Sequence, residues 1–310
     1  MIGRESSVEA RSSVAVVVPT RNRPMLLRRL LENLEETNLK PEIVVIVDSS
    51  DSENFYQLTS QKLHVVTLRS RVCSAAHQRN QGIEYLESID GSIVFDFVSF
   101  LDDDVLVPAD YFSRVVETFE SHTKFVGISG IALTSEVPSQ PKRTWLTDFI
   151  GITGNPGRLT PAVVNVSPYG LSDIHEVDWL IGCATWSKLV ITRVRFENDF
   201  LGQSIFEDVI FSSRARLMGS LAVNPHLELI HELSPVNRES IVSQYSNWVI
   251  NRFRIFQYEI PNVSKTRFWI LNILLFFHAL LWAPFDSRQT RKAKGLILGM
   301  GRVLFSRART

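Results

Sequence analysis

Three consecutive carboxylates, Asp102-Asp103-Asp104, follow the apolar residues Phe95, Phe97, Val98, Phe100 and Leu101 and precede Val105-Leu106-Val107-Pro108. The apolar run predicts a strand buried on both faces. A core strand ending in clustered acid carries negative charge to the carboxyl edge of a sheet, where open α/β sheets bind their ligands. Adjacent carboxylates repel one another, and a cation among them relieves the repulsion. Hard oxygen ligands suit Mg or Mn better than Zn. Two readings stand side by side: a divalent-metal site handling a phosphorylated ligand, and a solvated acidic turn with a helix cap before Ala109. A second acidic pair, Glu207-Asp208, opens a segment with Val209, Phe211, Ala215 and Met218 at helical spacing. Carboxylates there also favour the helix dipole without any catalytic role.

The elements that must position these groups follow from periodicity. Val14–Val18 is an all-apolar run closed by Pro19, the pattern of a central parallel strand. Pro24 suits a first helical turn, and Met25, Leu26, Leu30, Leu31 and Leu34 recur at helical spacing. Strands are predicted at Ile43–Val47, Leu63–Leu68, Phe95–Leu101 and Phe125–Leu133. Helices follow Ser74 and begin near Tyr111. Strand and helix alternate over the first ~130 residues, as in a doubly wound, mainly parallel sheet with flanking helices. Right-handed crossovers would then collect Thr20, Asp48, Arg69 and Asp102–Asp104 along one edge. From Thr134 to Ile174 prolines and glycines interrupt the pattern, and we read this stretch as a substrate-covering segment. Further strands are expected at Glu176–Ile181, Leu221–Val223 and Leu227–Ile230, and helices at Phe206–Met218 and Ser240–Phe256.

The chain has 310 residues with 33 basic and 33 acidic side chains, so its total charge carries no nucleic-acid footprint. Cys73 and Cys183 form neither a disulfide framework nor a zinc spacing, which fits a reducing compartment. Met1–Ser13 lacks the apolar core of an export signal. Phe268–Phe285 is an apolar segment at the lower limit for spanning a bilayer. Arg267 precedes it; Arg288, Arg291, Lys292, Lys294, Arg302, Arg307 and Arg309 follow, against Asp286 alone. Three uses are open: an in-plane membrane helix with a basic flank, a buried helix or dimer contact, and a true span. The organisation read from this is a catalytic unit over 1–235, with a nucleotide-binding half at about 14–133 and an acceptor half at about 134–235. A helical extension over 236–310 carries the apolar segment 268–285.

Six stretches, in order, resemble the family 2 glycosyltransferases, which are inverting enzymes of the GT-A fold. They are Val16–Arg23 (VVVPTRNR), Ile43–Asp51 (IVVIVDSSD), Ala75–Gly82 (AAHQRNQG), Phe100–Pro108 (FLDDDVLVP), Gly182–Ser187 (GCATWS) and Phe206–Gly219 (FEDVIFSSRARLMG). The resemblance covers roughly Val14–Pro235. It implies a nucleotide-diphosphate sugar donor, a divalent metal (Mn2+ or Mg2+) and a glycosyl acceptor. UDP sugars are the commonest family donors, with dTDP sugars the alternative. Carried over by position, Thr20 and Arg23 would line the nucleotide pocket and Asp48 would hydrogen-bond the base. Arg79 would approach the base or diphosphate. Asp102 would lie near the ribose and Asp103 near the donor sugar, and Asp104 would hold the metal. His231 would stand near the metal or diphosphate, an ordinary structural histidine being the alternative. Asp208 would be the catalytic base, with Glu207 the alternative. Phe206 departs from the pattern, because many members have glycine before the acidic pair.

The chemistry agrees with this assignment. Inverting transfer needs a base on the acceptor side and charge neutralisation on the leaving side. The two acidic clusters, near 103 and 208, are separate enough in sequence to divide those tasks. The expected product is a cell-surface or secreted glycan, built on a glycan or lipid-linked acceptor by a cytoplasmic protein peripheral to the membrane. A nicotinamide dehydrogenase is disfavoured because no G-x-G-x-x-G follows the first strand. A sugar-phosphate nucleotidyltransferase is disfavoured by the absence of glycine from Val18–Arg23. A binding protein that kept the fold without turnover is the remaining alternative.

Overall fold

The computed structural model describes residues 12–51, 58–89, 91, 93–134, 142–200, 205–232, 240–258 and 260–306. Met1–Ser13, where no export signal is read, falls almost wholly outside these residues, as do Leu233–Pro235, Arg307 and Arg309. The elements are β1 (Val14–Thr20), α1 (Pro24–Glu35), β2 (Ile43–Asp48), β3 (Val65–Arg69), α2 (Ala75–Ser88), β4 (Phe97–Phe100), β5 (Val105–Leu106), α3 (Tyr111–Ser121) and β6 (Phe125–Leu133). They continue with α4 (Trp145–Ile150), β7 (His175–Val177), β8 (Ala184–Ser187), α5 (Lys188–Ile191), α6 (Glu207–Ala215), β9 (Ser220–His231), α7 (Ile241–Arg254), α8 (Lys265–Trp282) and α9 (Ser287–Ser306).

One sheet carries all nine strands in the order β3-β2-β1-β4-β8-β6-β9-β5, with β7 paired to β9. The first four strands are parallel, as the strand–helix alternation requires. β8 then enters antiparallel between β4 and β6, and β6 runs parallel to β9. The all-apolar runs arise because both faces of the sheet are covered. Ala15, Val17, Val45 and Val98 face a core shared with α2 and α6. Val14, Val16, Val44 and Ile46 face the opposite core, built with α1 and α3.

Two strand expectations are revised. The short strands at 221–223 and 227–230 are one strand, β9, whose pairing with β6 shifts between Ser129 and Ile131. Gly130 allows this irregularity: a Cβ there would lie 1.7 Å from the Leu227 carbonyl oxygen. Pro225, which cannot donate to a ladder, falls in the same irregular stretch. Of Glu176–Ile181, only Glu176 and Val177 are in a strand. Trp179 and Leu180 leave the ladder and are buried in the core. The helices α7, α8 and α9 pack on a cluster of Val249, Phe268, Leu296, Met300 and Val303.

Candidate active site

The parallel register carries the ends of β1, β2 and β4 to one edge. Thr20 stands beside Asp48 in the ladder, and Asp48 beside Arg69. Gln78, on α2, fastens this edge by donating from Nε2 to the carbonyls of Thr20 (2.9 Å) and Val47 (2.5 Å). α2 approaches closely because Gly82 lies against Val17, where a Cβ would come within 2.4 Å of Cγ1. The Asp48 carboxylate accepts from the Ser50 amide at 2.7 Å and from its hydroxyl.

The acidic triplet is not a solvated turn. Asp103 and Asp104 are only 3% and 7% exposed, while Asp102 is partly open. Asp103 accepts from the Thr20 hydroxyl (2.6 Å) and from Arg23 (2.9 Å). Burial pushes the Asp103 carboxyl up to about 6, against the Thr20 and Arg23 hydrogen bonds, which pull it down. Asp104 lies 3.4 Å from Arg23 and 3.0 Å from His231 Nε2. Burial works against the His231 imidazolium, but the Asp104 hydrogen bond and the Asp102 and Asp104 charges together outweigh it and raise the pKa. Asp102, Asp104 and His231 each offer a ligand atom, and these lie within 4.8 Å of one another. Two carboxylates and an imidazole form a donor set suited to Mn, and the oxygens suit Mg as well. By resemblance Asp102 lies near the ribose; geometry adds it to the group that can hold a metal.

Arg79 joins this cluster to the second one. Its guanidinium is buried, bonds Asp102 at 2.8 Å and pairs with Glu207. Burial opposes the Arg79 charge, but Glu207 and Asp102 more than offset it and raise its pKa. Gly182 leaves room for it, since a Cβ there would lie 3.1 Å from the guanidinium. Glu207 is thus engaged in an ion pair, while the neighbouring Asp208 is half-buried at the start of α6. An Asp208 oxygen accepts from the Val209 amide at 2.8 Å. Desolvation nonetheless dominates and lifts its carboxyl to about 6. A carboxyl raised in this way is suited to proton transfer near neutral pH.

Phe206 adopts φ +78°, a left-handed conformation rarely taken by a bulky residue. Glycine, which the resemblance leads one to expect here, takes such a backbone without strain. Here the aromatic ring is buried in the core instead. Trp179 and Trp186 are core residues, whereas Trp145 is 80% exposed. Arg216 pairs with Asp178, and Arg214 bonds the Arg195 carbonyl. Sequence reasoning missed the role of Asn80, which is held by both backbone groups of Phe196 and so links α2 to the chain preceding α6. A separation of 116 residues gives no local signal for it.

A mainly parallel sheet with flanking helices and clustered acids at its carboxyl edge is an architecture of the GT-A type. A family model described as glycosyl transferase family 2 matches residues 15–171, about half of the chain, and the chain belongs to that family. A comparison with curated proteins finds no match. Among solved structures, TarS of S. aureus aligns at 16% identity with a TM-score of 0.53, covering 86% of this chain and 43% of TarS. This chain therefore spans less than half the length of that TarS chain. TarS 1-349 in complex with UDP-GlcNAc aligns at 15% identity and TM-score 0.55, covering 91% of this chain and 79% of the other. The mannosyltransferase PcManGT from Pyrobaculum calidifontis, in complex with GDP-Man and Mn2+, aligns at 14% identity and TM-score 0.57, with coverage of 96% and 88%. At these identities the likeness is one of fold.

Proposed function

We propose that the protein is a metal-dependent inverting glycosyltransferase. It moves a hexosyl or deoxyhexosyl group from a nucleotide-diphosphate donor to a glycan or lipid-linked acceptor of a cell-surface polysaccharide. The observation that carries the reading is the juxtaposition of Asp102, Asp104 and His231, joined through Arg79 to Glu207-Asp208. The donor is a UDP sugar, with dTDP the alternative, handled by residues 14–133. The acceptor is taken by residues 134–235, with the segment at 134–174 as its cover. Residues 236–310 form an extension that holds the enzyme peripherally on the cytoplasmic face.

In this reading Thr20, Arg23 and Asp48 line the nucleotide pocket. Asp103 orients Arg23 and faces the donor sugar. Asp102, Asp104 and His231 would hold Mn2+ or Mg2+, which supplies charge neutralisation for the departing diphosphate. Arg79 contributes fixed positive charge nearby and keeps Glu207 engaged, which leaves Asp208 as the base. Asp208 accepts the proton of the acceptor hydroxyl as its oxygen forms the bond to the anomeric carbon. The bond from that carbon to the diphosphate oxygen breaks, and the nucleoside diphosphate leaves with the electron pair. Attack from the face opposite the leaving group inverts the anomeric centre.

The test is release of nucleoside diphosphate from a panel of UDP, dTDP and GDP sugars with Mn2+, in wild type and Asp208→Asn. Wild type should turn over one nucleotide class, with Asp208→Asn slower by about 100-fold to 10,000-fold. A fully active Asp208→Asn variant overturns the base assignment.

A further inference from the structure

The helix α8 is apolar on both of its sides. Phe268, Leu271 and Ala279 are buried on one. On the other, Ile270, Ile273, Leu274, Phe277 and Leu281 recur at three- and four-residue spacing and are all exposed, Leu281 by 74%. A helix apolar all round belongs inside a protein or at a membrane. No element among the described residues covers this outer side. Trp282 and Phe285 extend it, the latter 81% exposed. At its other end Arg267 stacks over the Phe149 ring, 5.3 Å from the centroid. Arg267 shares the exposed side of α8 with Ile270 and Leu274, so the face continues onto α4, where Trp145 and Phe149 are exposed.

Charge distinguishes among the surfaces that could meet this face. Between residues 260 and 306 there are seven basic residues (Lys265, Arg267, Arg288, Arg291, Lys292, Lys294, Arg302) and one acid, Asp286, in a chain whose formal charge is zero. Arg291, Lys294 and Arg302 are exposed on α9, alongside the exposed Leu298 and Phe305. A second copy of this chain would bring the same excess of positive charge to the contact. An anionic lipid surface would neutralise it and accept the aromatic and aliphatic side chains at headgroup depth. No helix among the described residues is long and apolar enough to cross a membrane, so the face lies in the plane of the interface.

We infer that α4, α8 and α9 form a single seat for an anionic bilayer. The inference deepens the peripheral attachment proposed above, because α4 belongs to the acceptor half. The seat therefore brings the acceptor half, not only the C-terminal extension, to the lipid surface, where a lipid-linked acceptor would be presented.

The test is flotation of the full chain with phosphatidylcholine vesicles, with and without phosphatidylglycerol. Wild type should float only when phosphatidylglycerol is present, and added salt should release it. Arg291→Ala with Lys294→Ala should weaken partitioning by about tenfold or more. Leu281→Glu with Phe285→Glu, and separately Trp145→Glu with Phe149→Glu, should each weaken it to a similar extent. Thermal shifts with nucleoside diphosphate and Mn2+ should match wild type in every variant. That control reports folding and the donor site independently of lipid. Vesicle binding unchanged by all three pairs would overturn the inference, as would a dimer in solution that ignores vesicles and dissociates in the α8 variant. Binding lost in the α8 and α9 variants but retained in the α4 variant would overturn the part that places the acceptor half at the surface.

Discussion

Asp208 and Glu207 are adjacent in sequence and differ in environment, and the proposed division of roles between them rests on that difference. Glu207 meets the buried guanidinium of Arg79, whereas desolvation dominates at Asp208 and lifts its carboxyl to about 6. A base works in its deprotonated form, so the sign is fixed. Activity should be level above about pH 7 and fall about tenfold per pH unit below about 6. A pH profile of kcat/KM checks this; full activity retained at pH 4.5 would contradict it. The two acidic clusters are legible in the sequence as residue types, and the motif order supports their pairing. The bridge between them is not legible. Arg79 and Glu207 are 128 residues apart, and nothing local in either stretch specifies an ion pair.

At the scale of elements, the apolar runs at β1 and β2 and the strand at β6 are read well, because burial on both faces leaves a continuous signal. β9 is read less well. Its irregular pairing with β6 at Gly130 and the proline within it break the apolar pattern, although the strand continues. The attachment of the C-terminal helices to residues 142–200 is also hidden from sequence, and Arg252 is one of its anchors. This arginine is fully buried on α7. It donates to the carbonyl of Val163 at 2.7 Å, to that of Ala162, and to Asn272 on α8 at 3.3 Å. It also stacks on Trp248, with the guanidinium carbon 3.8 Å from the ring centroid. Desolvation lowers its pKa to about 9. Replacing Arg252 with Ala would leave buried carbonyls without donors and open a cavity. It should reduce unfolding stability by about 3–5 kcal/mol in urea titrations. A loss below about 1 kcal/mol would contradict the clamp.

At the scale of the molecule, two regions meet at the carboxyl edge of one sheet and a third packs behind them. The parallel strands present Thr20, Asp48 and the acidic triplet. The strands and helices after Gly182 bring Asp208 and His231, and Arg252 helps to hold α7 and α8 against Ala162 and Val163. The segment 268–285 is legible as apolar, with an in-plane membrane helix, a buried or dimer contact and a true span all open, but its partition between core and surface is not legible. Only the packing of α8 on α7 and α9 divides its apolar residues into a buried side and an exposed one. At the carboxyl edge, donor binding should require a divalent cation held by Asp102, Asp104 and His231. Calorimetric titration of UDP, dTDP and GDP into wild type and Asp104→Ala, each with and without Mn2+, tests it most directly. One nucleotide class should bind wild type only with Mn2+, and Asp104→Ala should lose this binding while remaining folded. Binding that is equally tight without metal, or unchanged in Asp104→Ala, would contradict it.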